Sequence, residues 1–237
     1  KRNESTFYEL ANMSKHGSQI LITPDDHDYF TYDERDALSR EFYDARVQDL
    51  KGRLKPKRFE HSLGVASTAR TLAEAYGLDG ERAQLAGLLH DWDKDFNDAD
   101  AQRRARIFEV DLHPAVIETM PRLLHGPTAA ASLGRIYPQL PPEVLQAIAR
   151  HTTGAVGMSD LDMVVYIADA LEPGRDFEGL DELRAAVGEI ELEELFLRTF
   201  RHILLSLIDG KRRFHPQTGT IWNYYVERDR ARNHLKG

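Results

Sequence analysis

From about residue 34 onward, apolar residues recur at the three-and-four spacing of one helix face, and strand-type alternation is nearly absent. Asp33 can cap a first helix over 34–51, with Leu38, Phe42, Ala45 and Leu50 on its apolar side. A second begins near Pro56, a residue suited to the first helical turn. It carries Phe59, Leu63, Ala66, Ala69, Leu72, Ala73 and Tyr76 as one stripe, and Gly77 ends it. A third is capped by Asp79 or Gly80 and runs through "LAGLLHDWDK". The same spacing predicts helices over about 98–108, 113–119, 125–136, 141–150, 159–171, 190–209 and 216–232, with Pro173-Gly174 closing the one before it. Residues 1–32 show weak periodicity, and "ITPDDHDYFTYD" reads as loop.

The pattern predicts an all-α helical bundle over 33–237, preceded by an arm or linker over 1–32. The chain begins at Lys1 rather than Met, so this arm is expected to continue an upstream region. With 237 residues, 41% hydrophobic and 30% charged, the chain has ample material for one large core. A formal net charge of -8 disfavours a nucleic-acid track while permitting a local basic pocket. There is no cysteine, which excludes disulfides, thiolate ligands and cysteine nucleophiles and makes the cytoplasm the default compartment. No apolar run is long enough to cross a bilayer, so no membrane partner is expected.

The informative feature is where polar groups interrupt the apolar faces. His61 sits beside the stripe of the second helix, and His90-Asp91 ends the apolar run 85–89. His125 opens a helix after "PRLL", His151 ends "LQAIAR", and Asp169 lies inside "MVVYIADALEP". A carboxylate in such surroundings is costly unless it is paired, hydrogen-bonded or bound to a metal. Any one of these histidines is explained as a satisfied core residue. The six together have a common cause in a divalent cation, which compensates the carboxylates and uses the imidazole lone pairs. Nitrogen and oxygen ligands without thiolate suit iron, manganese, zinc or nickel.

The order His61, His90-Asp91, Asp169 resembles the H…HD…D signature of the HD superfamily of metal-dependent phosphohydrolases. The segments "RFEHSLGVA", "AGLLHDWDK", "LLHGP", "HTTG", "GMSDLD", "YIADALEPGRDFEGL" and "HPQT" resemble, in order and spacing, the bacterial YqeK-type family. The resemblance spans about residues 34–228. It implies a symmetrical diadenosine tetraphosphate hydrolase that releases two ADP. It further implies His61, His90, Asp91 and Asp169 as metal ligands, one or two ions, and iron as the native metal. His125 and His151 are implied to contact phosphate or a second ion. Lys94, Thr152 and Arg175 match positions near the nucleotide, and the loop 212–218, with Arg213, Phe214, His215 and Thr218, matches one that closes over it.

Arg58 precedes His61 by one helical turn and can face the same pocket. Asp91, His125, His151 and Lys94 are the expected catalytic set, with either histidine a candidate general acid. Arg175 could instead pair with Asp176 or Glu172 at the surface, and Tyr166 suits the core better than a purine. Phe177 and Phe214 are stacking candidates, Phe214 being the stronger. His113 and His202 are expected to be structural or solvated, and His215 to contact phosphate or to start a helix. Asp93 and Asp95 depart from the family pattern, and their charge is expected to lower polyphosphate affinity or to hold water or a cation. The alternatives are an HD phosphohydrolase of another nucleotide or a nucleotide-sensing module without turnover. The apolar excess of "LEELFLRTFRHILLSLI" leaves monomer or homodimer open.

Overall fold

In the computed structural model, residues 34–236 are described. The arm over 1–32, with His16 and His27, and the capping role of Asp33 lie outside them. The first expected helix is divided in two. Helix α1 (Glu34–Ala37) stops, and α2 (Arg40–Arg53) restarts after Ser39, whose Oγ accepts the Phe42 amide at 3.1 Å. A serine hydroxyl offers the backbone an acceptor, which favours a new helix start over continuation.

Helices α3 (Pro56–Ala75) and α4 (Gly80–Leu89) form a hairpin. Gly77, at φ 69°, makes the reversal, and Asp79 caps α4 by accepting the amides of Glu81 and Arg82. The two helices meet closely at Gly87. A Cβ there would lie 3.0 Å from Ala66 Cα and from Val65 O, so this glycine serves packing. Gly87→Ala is therefore expected to destabilise the protein by about 1–3 kcal/mol through overpacking. A fall in urea midpoint at unchanged m-value would show it, whereas an unchanged midpoint would mean that the hairpin has room to relax.

The chain continues through α5 (Asp98–Ile107), α6 (Pro114–Thr119), a 3-10 turn at Pro121–Leu123, α7 (His125–Ile136) and α8 (Pro142–Arg150). It ends with α9 (Asp160–Leu171), α10 (Leu180–Ala185), α11 (Leu192–Asp209) and α12 (Thr218–Lys236). No strand occurs among the described residues, in keeping with the all-α expectation. Helix α10 carries too few residues to show a period. It is fastened by burial of Leu180 and Leu183.

Helix α9 is the axis of the molecule. Ser159 opens it with a capping box to Asp162, and the residues from Met163 to Ala168 are all buried. A helix that is apolar all round must be surrounded, and α9 packs on α3, α4, α8 and α11. It contributes Val165 to one core cluster, with Leu85, Leu88 and Ile148, and Val164 and Ile167 to another, with Phe196 and Tyr225. Helix α3 is shared in the same way, through Ala66 and Val65. His61 on α3 and Asp169 on α9 thus ride on two helices that contribute to both core clusters.

Candidate metal centre and cleft

The third helix does not run through the acidic stretch as its apolar pattern suggests. Helix α4 ends at Leu89, and residues 90–95 form turns in which Trp92 N–H bonds Leu89 O and Lys94 N–H bonds Asp91 O. The His90 ring takes the Gly87 carbonyl at 2.7 Å, the acceptor that another helical turn would use. The break turns His90, Asp91 and Lys94 toward α3, α7 and α9.

One device orients three of the four imidazoles. His90, His125 and His151 stand at helix ends, each with Nδ1 2.7–2.8 Å from the carbonyl oxygen three residues earlier, on Gly87, Arg122 and Ile148. A carbonyl only accepts, so Nδ1 carries the proton and Nε2 keeps its lone pair. His61 lies inside α3, and its Nδ1 meets the Glu172 carboxylate at 2.9 Å.

The Nε2 atoms converge on the two aspartates. Asp91 Oδ2 lies 3.4 Å from His90 Nε2 and 3.9 Å from His61 Nε2, and Oδ1 lies 3.2 Å from His125 Nε2 and 3.8 Å from His151 Nε2. Asp169 Oδ1 is 3.0 Å from His61 Nε2 and 4.0 Å from His90 Nε2. Ligand atoms of His61, His90 and Asp169 fall within 4.8 Å of one another, as do those of His90, Asp91 and His151.

These residues fit a divalent cation. His90 Nε2 and Asp91 Oδ1 are buried and make no hydrogen bond, which costs about 1–3 kcal/mol for a neutral group and more for a charged one. The Nε2 lone pairs of His125 and His151 face each other at 3.0 Å, an apposition that a neighbouring cation relieves. Burial pushes the Asp91 carboxyl up, but His90, His125 and Lys94 overcome it and hold it well below the usual carboxylate range. Asp169 behaves alike: burial raises it, and the His61 hydrogen bond and His90 bring it well below. Burial, reinforced by His125 and His90, drives the His151 pKa well down and keeps that ring neutral. Ionised carboxylates and a neutral imidazole are the forms that bind metal.

Three cationic side chains border the centre. Arg58 Nη1 reaches Asp91 Oδ2 at 2.9 Å, and Arg175 Nη2 reaches Asp169 Oδ1 at 2.8 Å. Arg175 therefore faces the centre and not Asp176, with Glu172 a more distant neighbour at 4.0 Å. Lys94 Nζ donates to His125 Nε2 at 3.0 Å, and the Thr152 hydroxyl lies 2.9 Å from His151 Nε2 and 3.2 Å from His125 Nε2. Arg58, His61, His90, Asp91, Lys94, His125, His151, Thr152, Asp169 and Arg175 are thus brought together.

A cleft of about 600 Å³ leads to this cluster, lined by His151, Thr152, Asp169, Arg175, Phe177 and Leu205 among others. A second, of about 390 Å³, shares the wall formed by Leu123, Thr152, Tyr166 and Arg212, and it is lined by Arg213, His215 and Thr218. Those three residues border the neighbouring space rather than the metal cluster. Phe214 is exposed and lies on neither wall, whereas the exposed Phe177 does. Tyr166 is a core residue packed edge-on against Phe196. His113 caps α6, His215 Nδ1 accepts the Gln217 amide as α12 approaches, and His202 lines the larger cleft. The apolar excess of α11 also finds its place here, since Ile203, Leu205 and Leu207 border that cleft.

The expected effect of Asp93 and Asp95 on substrate is corrected by their partners. Asp93 is buried, with Arg53 at 3.0 Å and Arg104 at 2.9 Å, and Asp95 accepts the Lys55 amide. Both carboxylates hold the turn in place. Glu172 was visible in the sequence only as a partner of Arg175. Its signal was Gly64, one turn after His61 in the interior of a helix, where glycine is unfavourable unless something occupies the missing side chain's space.

The HD domain family profile matches residues 58–174, which include the whole cluster except Arg175. The chain is 32% identical over 178 residues to the symmetrical bis(5'-nucleosyl)-tetraphosphatase of Bacillus subtilis, covering 75% of this chain and 94% of that protein. It is 35% identical over 176 residues to the protein of the same name from Staphylococcus aureus, covering 74% and 90%. A crystal structure of a predicted HD superfamily hydrolase involved in NAD metabolism from Clostridium acetobutylicum superposes with a TM-score of 0.73. It shares 36% identity, over 78% of this chain and 97% of that one. With this coverage and the histidine–aspartate cluster between its helices, the chain belongs to the HD-domain family of symmetrical bis(5'-nucleosyl)-tetraphosphatases.

Proposed function

We infer that this chain hydrolyses diadenosine tetraphosphate symmetrically, with residues 33–237 as the hydrolase unit. The observation that carries the reading is the convergence of four imidazoles and two carboxylates, ringed by Arg58, Lys94 and Arg175, at the end of a roughly 600 Å³ cleft. Water adds to one of the two central phosphorus atoms. The anhydride bond to the central bridging oxygen breaks, and that oxygen departs with the second ADP.

His61, His90, Asp91 and Asp169 would hold a divalent ion. The two oxygens of Asp91, one facing His61 and His90 and the other facing His125 and His151, suit a second ion beside it. Iron is the proposed native metal because the family resemblance implies it, and the nitrogen-and-oxygen donor set without thiolate accommodates it as it would manganese, zinc or nickel. When bound, such an ion supplies Lewis-acid activation of water and of the phosphoryl oxygen.

The chain's own groups handle the substrate charge. A tetraphosphate bridge carries about four negative charges, and Arg58, Lys94 and Arg175 neutralise them as charge builds on the central phosphates. Thr152 lines the cleft and holds its hydroxyl against the Nε2 atoms of His151 and His125. The proton for the departing ADP travels through the Lys94 Nζ–His125 Nε2 pair, because His151 is held neutral and serves as a lone-pair donor. Phe177 offers an exposed ring for a purine at the cleft wall, and the loop bearing Arg213, Phe214, His215 and Thr218 stands beside the second space. No helix among the described residues is long and apolar enough to cross a membrane. The cysteine-free composition supports placing the enzyme in the cytoplasm.

Anaerobic turnover of diadenosine tetraphosphate by iron-loaded protein tests the reading, with products separated by ion exchange. ADP alone is expected. AMP plus ATP would place attack at an outer phosphate, and absence of turnover by metal-loaded protein would pass the site to another nucleotide or to a sensing role.

A further inference from the structure

We propose that Glu172 is a positioning residue of the metal centre, fixing His61 as the Nδ1-protonated tautomer and making its Nε2 the most electron-rich of the four imidazole donors. The proposal rests on the metal-centre reading above. Glu172 follows α9 directly and is 5% exposed. Both its oxygens accept hydrogen bonds, Oε1 from His61 Nδ1 at 2.9 Å and Oε2 from the Gly174 amide at 2.7 Å.

The carboxylate lies in a cradle made by two missing side chains. A Cβ on Gly64 would stand 2.8 Å from Oε2, and one on Gly174 would stand 2.9 Å from Oε1. Neither glycine has a positive φ, so both serve the space and not a backbone turn. Gly64 lies within a 20-residue helix, where an alanine would favour the helix. The backbone is tied down as well. Arg184 on α10 donates to the carbonyls of Leu171, Glu172 and Arg175, locking the turn that aims the carboxylate.

The contrast with the other three histidines gives the inference its content. His90, His125 and His151 rest on neutral carbonyls, whereas His61 rests on an anion. A carboxylate behind a ligating imidazole orients the ring and raises its basicity toward the metal. The group formed by His61, His90 and Asp169 is therefore the one whose affinity depends on Glu172.

Mn²⁺ binding, measured by calorimetry with bound-ion counting by electron paramagnetic resonance, tests this without reference to activity. Glutamine at 172 cannot accept both bonds, since its amide nitrogen must face either His61 or Gly174. Glu172→Gln is expected to weaken Mn²⁺ binding about 10–100-fold. Gly64→Ala leaves every polar group in place but displaces the carboxylate, so it should weaken binding in the same direction. Variants that fold and bind Mn²⁺ as tightly as the parent would overturn the proposal. So would variants that lose only thermal stability in the metal-free state. If the unsubstituted protein itself bound no Mn²⁺, the metal-centre reading would fall, and the proposal with it.

Discussion

Asp91→Asn is expected to lower kcat by at least about 10³-fold and to deplete bound metal, while the protein remains folded. Both oxygens of Asp91 are committed in different directions. Oδ2 faces Arg58, His90 and His61, and Oδ1 faces His125, His151 and Lys94. An amide replaces one acceptor by a donor, which must point either at imidazole lone pairs or at a guanidinium. Neither orientation serves a cation. Folding should survive because Arg58 and Lys94, which lose a counter-charge, keep about 30% of their side chains exposed and can be rehydrated. Metal content by mass spectrometry and ADP release by ion exchange check the two losses together. A variant with an unchanged kcat and a raised KM would limit Asp91 to ground-state binding and would sink its role in the reaction.

Asp91 was legible because a polar residue that ends an apolar helical run has few inexpensive explanations. The same logic exposed His61, His90, His125, His151 and Asp169; Arg58 followed from its one-turn spacing to His61, and Lys94 from the family resemblance. The overall all-α architecture was legible for a related reason, since long periodic stretches such as α9 and α11 leave little choice of element. The split between α1 and α2 was not, because Leu38 continues the apolar period and a single serine decides the break. Helix α10 is too short to carry a period, yet its Arg184 fixes the turn that holds Glu172. Distance along the chain hid other features. Arg53 and Arg104 lie 40 and 11 residues from Asp93, and spacing on one helix says nothing about cations arriving from others.

The misread Asp93 therefore leads to the second large effect. Asp93→Ala is expected to destabilise the protein by about 3–5 kcal/mol, the range for removing one partner of a buried charge pair. Arg104 grips Asp93 with two bonds, Nε to Oδ2 at 2.9 Å and Nη2 to Oδ1 at 3.0 Å, and Arg53 Nη2 reaches Oδ1 at 3.0 Å. Arg104 is 2% exposed, and burial already pulls the Arg53 pKa down. Aromatic faces surround the pair, with Arg53 4.6 Å from the Trp92 ring and Arg104 4.5 Å from that of Phe96. Deleting the carboxylate removes the anion that both guanidiniums share, in a place where water cannot easily replace it. A drop in urea midpoint measures the cost. The KM for diadenosine tetraphosphate should stay near that of the parent, because the carboxylate faces the arginines and not the cleft. Replacing Asp93 by Leu and Arg104 by Met together should cost less than Asp93→Ala, since an apolar pair of similar volume leaves less charge to bury. A parent-like midpoint combined with a lowered KM would reverse the assignment, making Asp93 a charge that substrate feels.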